Sequence, residues 1–426
     1  MSETYPELNP PVRVLMGPGP SDTHPRVLAA LARTTVGHLD PYYLEVMNGL
    51  QAMLRAAFRT THPMTFAVSG TGSAGMEAAV VNLIEPGDRM VVCVNGVFGA
   101  RMAEVAQRAR AEVTRIDRPW GEVFTPQELA DVLDRVRPKV VGLVLAETST
   151  GAWQPMEAIA RVVRDAGALL LVDAVTALGG IPVEVDAWQV DVIYAGTQKC
   201  LSCPPGLAPI SFSPRAMEVI LSRKSPVQSW YLDVSLLANY WGQSRAYHHT
   251  APINMTYALY EALRLLHEEG LENAWARHRR NHLALKAGLE ALGIRYATAP
   301  SQTLPQLNAV LVPPGVDDLI VEGIAVGAVG WVAGLVNALP KESVDLFNYA
   351  VNGERDKALT LYKWFLPLLR MDTVGKFVQL IKLCQQEVGM GTTRVRPPRL
   401  ELANGELEEA RSIIRTALAN RPRLPA

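Results

Sequence analysis

The feature that most constrains this chain is an alternation of continuous apolar runs with amphipathic runs through its first two thirds. "GDRMVVCVN" reads as a strand and "GARMAEVAQRARA" as an amphipathic helix. "VVGLVLAE" reads as a strand, and "QPMEAIARVVRDAGA" as a helix closed by a glycine. "LLLVDAV" and "VDVIYAG" read as two more strands. Strands without polar alternation are buried on both faces, which is the pattern of a parallel sheet covered by helices. The expected fold class is therefore α/β with a mainly parallel sheet. Such sheets bind ligands beyond the carboxyl ends of their strands. The residues that follow the strands are the ones to read for chemistry.

Composition narrows the partners. The 426 residues are 49% hydrophobic, enough for a large core, and the formal net charge is −1. That balance offers no basic surface for nucleic acid, and it favours small-molecule partners. The four cysteines, Cys93, Cys200, Cys203 and Cys384, are too few for a disulfide framework in a chain this long. "MSETYPELNPP" has neither a basic nor an apolar leader region, so a cytoplasmic protein is expected. The apolar stretch Gly323–Leu339 is Gly-rich and ends at Pro340. It is expected to be a buried strand and helix start, with no membrane span.

Two strand ends carry charged residues. Asp173 closes the run "LLLVDAV", where a buried carboxylate costs several kcal/mol unless a cation pairs with it. It reads either as a capping or salt-bridged acid, or as the partner of a protonated ring nitrogen. Lys199, in "GTQK", follows the next strand. A lysine with a depressed pKa forms a Schiff base, and an acid holds a pyridine nitrogen protonated, so the pair suits pyridoxal 5'-phosphate. That cofactor also needs a phosphate cradle. In "SGTGSAGMEAAVVNLI", Thr71, Gly72 and Ser73 stand where small residues open a helix, a position that favours a dianion. The same turn taken alone is an ordinary strand–helix connection. Phe98 in "NGVFGAR" is either a core aromatic or a ring that lies against the cofactor.

These segments resemble a known family. "GPGPSDTHPRVLAAL", "SGTGSAGMEAA", "ETSTG", "LVDAVTALGG", "TQKCLSCPPGLAPISFS" and "YHHTAP" are similar to class V aminotransferases of the alanine–glyoxylate and serine–pyruvate type, over about residues 12–314. The resemblance implies a fold type I large domain over residues 1–317 and a homodimer with shared active sites. It implies transfer of an amino group from alanine or serine to glyoxylate or pyruvate. By position, Lys199 matches the Schiff-base lysine and Asp173 the pyridinium partner. Thr71, Gly72, Ser73 and Gln198 match the phosphate site. Tyr247 and Thr250 match residues that reach the phosphate of the neighbouring subunit. Thr148 matches a position near ring and substrate, Gly17 and Gly19 positions beside the substrate, and Phe98 a stacking position. His248 and His249 are expected to be structural, since the lysine amine itself moves the proton. The Cys200–Cys203 spacing lacks the second pair that a zinc site needs, so no metal is expected.

The chain then departs from that family. The short arginine motif that grips the substrate carboxylate in the usual small domain is missing, and nothing in the spacing of Arg394, Arg396 or Arg399 replaces it. Residues 318–426 are expected to be a mostly helical segment. "GWVAGLVNALP" and "KFVQLIKLCQQEVGMG" there resemble the end of the (β/α)8 barrel of the dihydrodipicolinate synthase / N-acetylneuraminate lyase group. The tyrosine and lysine of that group's site lie in barrel strands absent here. The chain reads as most of one enzyme followed by a fragment of another. The rival expectations are a cofactor-binding protein with impaired turnover and a pyruvate-type lyase fusion.

Overall fold

The computed structural model describes Tyr5 and residues 7–311, 317–325, 328–397 and 399–422. The chain forms two compact units, Met1–Leu311 and Val312–Ala426.

The first unit is built on one sheet. Its strands are β1 (Met64–Ser69), β2 (Arg89–Val94), β3 (Glu112–Asp117), β4 (Val140–Val144), β5 (Leu169–Asp173), β6 (Val192–Tyr194) and β7 (Leu207–Phe212). They lie in the order β1-β7-β6-β5-β4-β2-β3. Every pair is parallel except those of β7, which runs antiparallel to both neighbours. The reason is the connection Ala195–Gly206, which has no helix to carry the chain back across the sheet. All five residues of β4 and of β5 are buried, as continuous apolar runs require. Gly142 in β4 makes room for methionine: a Cβ there would sit 2.5 Å from Met102 Sδ and 2.8 Å from Met90 Cε.

Local signals start and stop the covering helices. Thr125 caps Pro126–Val136, accepting from Glu128 N at 3.3 Å, and that helix buries Leu129 and Leu133 one turn apart. Glu157–Asp165 buries Ile159, Ala160 and Val163 and is followed by Gly167 at φ +74°. The expected single strand "VVGLVLAE" is divided. Leu145 N donates to Asp173 O at 2.9 Å, where β5 ends. With no partner strand beyond, Ala146–Glu147 turns out to pair antiparallel with Ala152–Trp153.

The second unit has its own core. Pro340–Val351, Arg355–Leu369, Phe377–Glu387 and Asn404–Ala419 are its longer helices. They bury Leu346, Leu361, Phe365, Leu383 and Ile414 together. The strand expected within Gly323–Leu339 does not occur among its described residues, which leave out Val326 and Gly327, nor among the other described residues of this unit. Val329 and Val332 are 96% and 98% exposed, while Leu335 and Leu339 join the helical core. A strand needs neighbours to satisfy its backbone, and this unit supplies none among the described residues. Among the described residues no helix is long and apolar enough to cross a membrane.

Phe365 is fully buried at the centre of the second unit. Phe365→Ala is expected to cost about 3–5 kcal/mol of that unit's stability. Hydrogen exchange checks this: protection should fall in its four longer helices and stay unchanged in β4 and β5.

Candidate active site

The site begins where β5 and β6 end side by side, with Asp173 opposite Tyr194 in the register. Asp173 is 2% exposed. Its Oδ1 accepts from Val175 N at 2.9 Å and its Oδ2 from Tyr194 Oη at 2.7 Å. Among the described residues no lysine or arginine forms an ion pair with it. Burial outweighs these two bonds and the weaker pull of the Lys199 charge, and pushes its acid up to about 6. The position is therefore costly as it stands, and it favours a ligand that brings a positive charge.

Lys199 lies in the helix-free connection between β6 and β7. That connection is tightly pinned. Ser202 N donates to Lys199 O at 3.0 Å, Cys203 N to Thr197 O at 3.2 Å, and Thr197 Oγ1 to Pro204 O at 2.7 Å. From the N-terminal segment, Ser21 Oγ donates to Lys199 O at 2.7 Å and Ser21 N to Gln198 O at 2.9 Å. Lys199 Nζ donates to Pro18 O, and burial holds its amine below the ordinary lysine range. Gly19 is at φ +117°, and a Cβ there would come within 2.7 Å of Lys199 Nζ. Only glycine lets the segment approach the amine so closely. Gly17, Gly19, Thr148 and Lys199 line one cavity of about 470 Å³. Thr148 Oγ1 is hydrogen-bonded to Thr176 Oγ1 on its wall.

The helix Gly72–Leu83 opens on the same edge. Its cap, Thr71, makes no side-chain hydrogen bond to the first turn. A Cβ at Gly72 would lie 2.9 Å from Val175 Cγ2, which sets this helix end against the residues just beyond Asp173. Gln198 Oε1 is buried without a partner, a state that native polar groups rarely keep. An uncapped helix end, an unpartnered amide, a cation-free buried carboxylate and a desolvated lysine together fit an anionic group attached to a cationic ring aldehyde.

Below the cradle, Ser69 Oγ bonds His249 Nε2 at 3.0 Å, and the two histidines meet through Nδ1 atoms at 2.9 Å. His248 stacks flat on Trp230, with ring centroids 4.4 Å apart. Burial lowers His249 to about 4, so the ring is neutral and serves packing and hydrogen bonding. Tyr247 is 60% exposed, and Thr250 is exposed too. Neither lines the cavity at Lys199.

One residue of the site was not singled out by the sequence reading. Glu147 is fully buried and gathers Phe98 N and Gly99 N at 3.2 Å on Oε2. Its Oε1 takes Ser149 N at 3.1 Å and Ser149 Oγ at 2.7 Å. It thereby caps the helix Val97–Arg108 and fixes both Phe98 and the turn that carries Thr148. Phe98 is partly buried, with the Arg101 guanidinium 5.0 Å from its ring centroid. The signal was in the sequence: an acid directly after an apolar run, the same pattern that marked Asp173.

Two expectations follow from this geometry. The folded-state pKa of Asp173 lies above the ordinary value near 3.9, so its favourable contribution is fully present below about pH 4 and is lost as pH rises through about 6. Asp173→Asn should therefore stabilise the cofactor-free protein by about 3 kcal/mol above about pH 7, with the gap closing below about pH 4. Thermal melts across that range check it. Glu147→Ala, which strands two helix N–H groups in the core, should destabilise by about 2–4 kcal/mol in denaturant unfolding.

Comparison with known proteins agrees with this geometry. The Aminotransferase class-V family matches residues 22–317, and the Dihydrodipicolinate synthetase family matches residues 281–417. The chain is 40% identical over 329 residues to the (S)-ureidoglycine–glyoxylate transaminase of Bacillus subtilis (strain 168), covering 73% of this chain and 79% of that one. It is 40% identical over 314 residues to the alanine–glyoxylate aminotransferase of Callithrix jacchus, covering 73% and 76%. A crystal structure of alanine–glyoxylate aminotransferase from Nostoc sp. superposes with a TM-score of 0.73 at 48% identity, covering 76% of this chain and 86% of that one. On a family match spanning more than half of its length and relatives of this similarity, the chain belongs to the class-V aminotransferases.

Proposed function

We propose that this protein is a pyridoxal-phosphate-dependent aminotransferase that passes the amino group of alanine or serine to glyoxylate or pyruvate. The observation that carries the reading is a buried Asp173 with no ion-pair partner among the described residues, near a desolvated Lys199 beyond adjoining strand ends. Relatives named for glyoxylate transamination support the choice of acceptor.

Each residue has a task that its surroundings suit. Asp173 would pair with the protonated ring nitrogen, so that a carboxylate costly by itself becomes part of an ion pair. Thr71, Gly72 and Ser73 at the helix N-terminus, with the Gln198 amide, would hold the phosphate. Phe98, fixed by Glu147, would lie against the ring. Thr148 would contact the ring and substrate, and Gly17 and Gly19 would border the substrate beside the lysine. Bound there, pyridoxal phosphate supplies an electron sink for the pair left on the substrate α-carbon. Lys199 Nζ, held below the ordinary lysine range, is a competent proton acceptor at that carbon. The pinned backbone on both sides of Lys199 limits the movement of its amine to the side chain. Exposed Tyr247 and Thr250 would complete the phosphate site of the second copy in a homodimer. A pyruvate-lyase reading draws on the Dihydrodipicolinate synthetase family match over residues 281–417, but the described residues of the second unit contain no barrel strand to carry such a site.

Borohydride reduction of the pyridoxal-phosphate-loaded protein, followed by peptide mass spectrometry, tests the central assignment. The cofactor mass is expected on the peptide that contains Lys199 and absent in Lys199→Ala. A mass found on any other lysine, or on none, overturns the reading.

A further inference from the structure

Part of the wall of the Lys199 cavity lies outside the residues assigned above. The helix Leu271–Ala291 brings Arg277 and His278 to it, and Gln306 and Asn308 border them. His278 is held below its ordinary range by burial, and so is Lys199. Arg277 is thus the permanent cation of this cavity. It also borders a neighbouring cavity of about 530 Å³, which Glu269 lines and the Lys199 cavity does not share with it.

Glu269 sets the orientation of that cation. It ends the helix Ile253–Glu269, and Gly270 at φ +87° turns the chain into the next helix. Across this corner, Arg277 Nε donates to Glu269 Oε1 at 2.6 Å and Nη2 to Oε2 at 2.8 Å. A guanidinium has five N–H donors in a rigid plane, and this fork uses only the edge formed by Nε and one N–H of Nη2. The second edge, formed by Nη1 and the remaining Nη2 N–H, has no partner among the described residues. Its geometry matches one more carboxylate, bidentately. The Arg277 side chain is 43% exposed, so a ligand can reach it.

We propose that Arg277 binds the α-carboxylate of the amino-acid donor and of the 2-oxo-acid acceptor, replacing the carboxylate-gripping arginine motif that this chain lacks. The inference rests on the aminotransferase reading of the cavity. Donor and acceptor share a carboxylate next to the reacting carbon, so one fixed fork serves both half-reactions. Glu269 on the far edge keeps the guanidinium oriented and charge-paired between turnovers, which limits the cost of desolvating it.

The test uses the full chain loaded with pyridoxal phosphate. The cofactor's absorbance is followed while L-alanine or L-alaninamide is added; the two share the amine, and only the first carries a carboxylate. The native protein should respond at lower concentrations of L-alanine. In Arg277→Gln that preference should fall roughly 10- to 100-fold, with cofactor binding unchanged. Arg277→Lys should recover part of it through charge alone. The double variant Glu269→Gln/Arg277→Gln leaves no unpaired acid behind and should show the same loss. A native-like preference in Arg277→Gln or in the double variant overturns the inference and leaves the aminotransferase reading standing. A native protein that responds to neither compound overturns both.

Discussion

The carboxylate of Asp173 is the constraint on which the rest of the first unit depends. It closes a strand whose five residues are all buried, and only an amide and a phenol hydrogen-bond it. Those two bonds lower its acid strength penalty without cancelling it, since burial still dominates and leaves the group near 6. A core that served stability alone would favour an apolar residue or an ion pair here. The neighbouring elements make sense as the enclosure of something that supplies the missing charge: an uncapped helix end on one side and a desolvated amine on the other.

The topology places that amine. Between β6 and β7 the chain makes no helical crossover, and the strand it feeds is therefore antiparallel. The same short connection carries Lys199 over the strand ends, with its backbone tied from both sides by Ser21, Ser202 and Cys203. Reversal of one strand and presentation of the lysine are two consequences of one loop. Glu147 plays a matching part across the sheet, tying the start of the helix that carries Phe98 to the turn that carries Thr148.

Much of this was legible from residue order. The parallel sheet followed from apolar runs without polar alternation, and Asp173 and Lys199 stood out because charges ending such runs need a reason. Glu147 obeys the same rule, but its partners Phe98 N and Gly99 N lie about fifty residues earlier in the chain, so its capping role is not legible from the turn it sits in. The antiparallel β7 was not legible, since a strand's direction depends on what links it to its neighbour and less on its own residues. In the second unit, Gly323–Leu339 has the composition of a buried strand, yet Val329 and Val332 are exposed and Leu335 and Leu339 join a helical core. Composition reports what a segment would do among its usual neighbours. Among the described residues the neighbours here are helices, and backbone groups with no strand to pair with do not form one.

The most direct test of the account is amino transfer by the intact chain. The protein loaded with pyridoxal phosphate is mixed with nitrogen-15 L-alanine or L-serine and then with glyoxylate, and the label is followed by NMR. The account predicts labelled glycine from the native protein and none from Lys199→Ala. A protein that holds the cofactor on Lys199 yet leaves the label in the donor would contradict it.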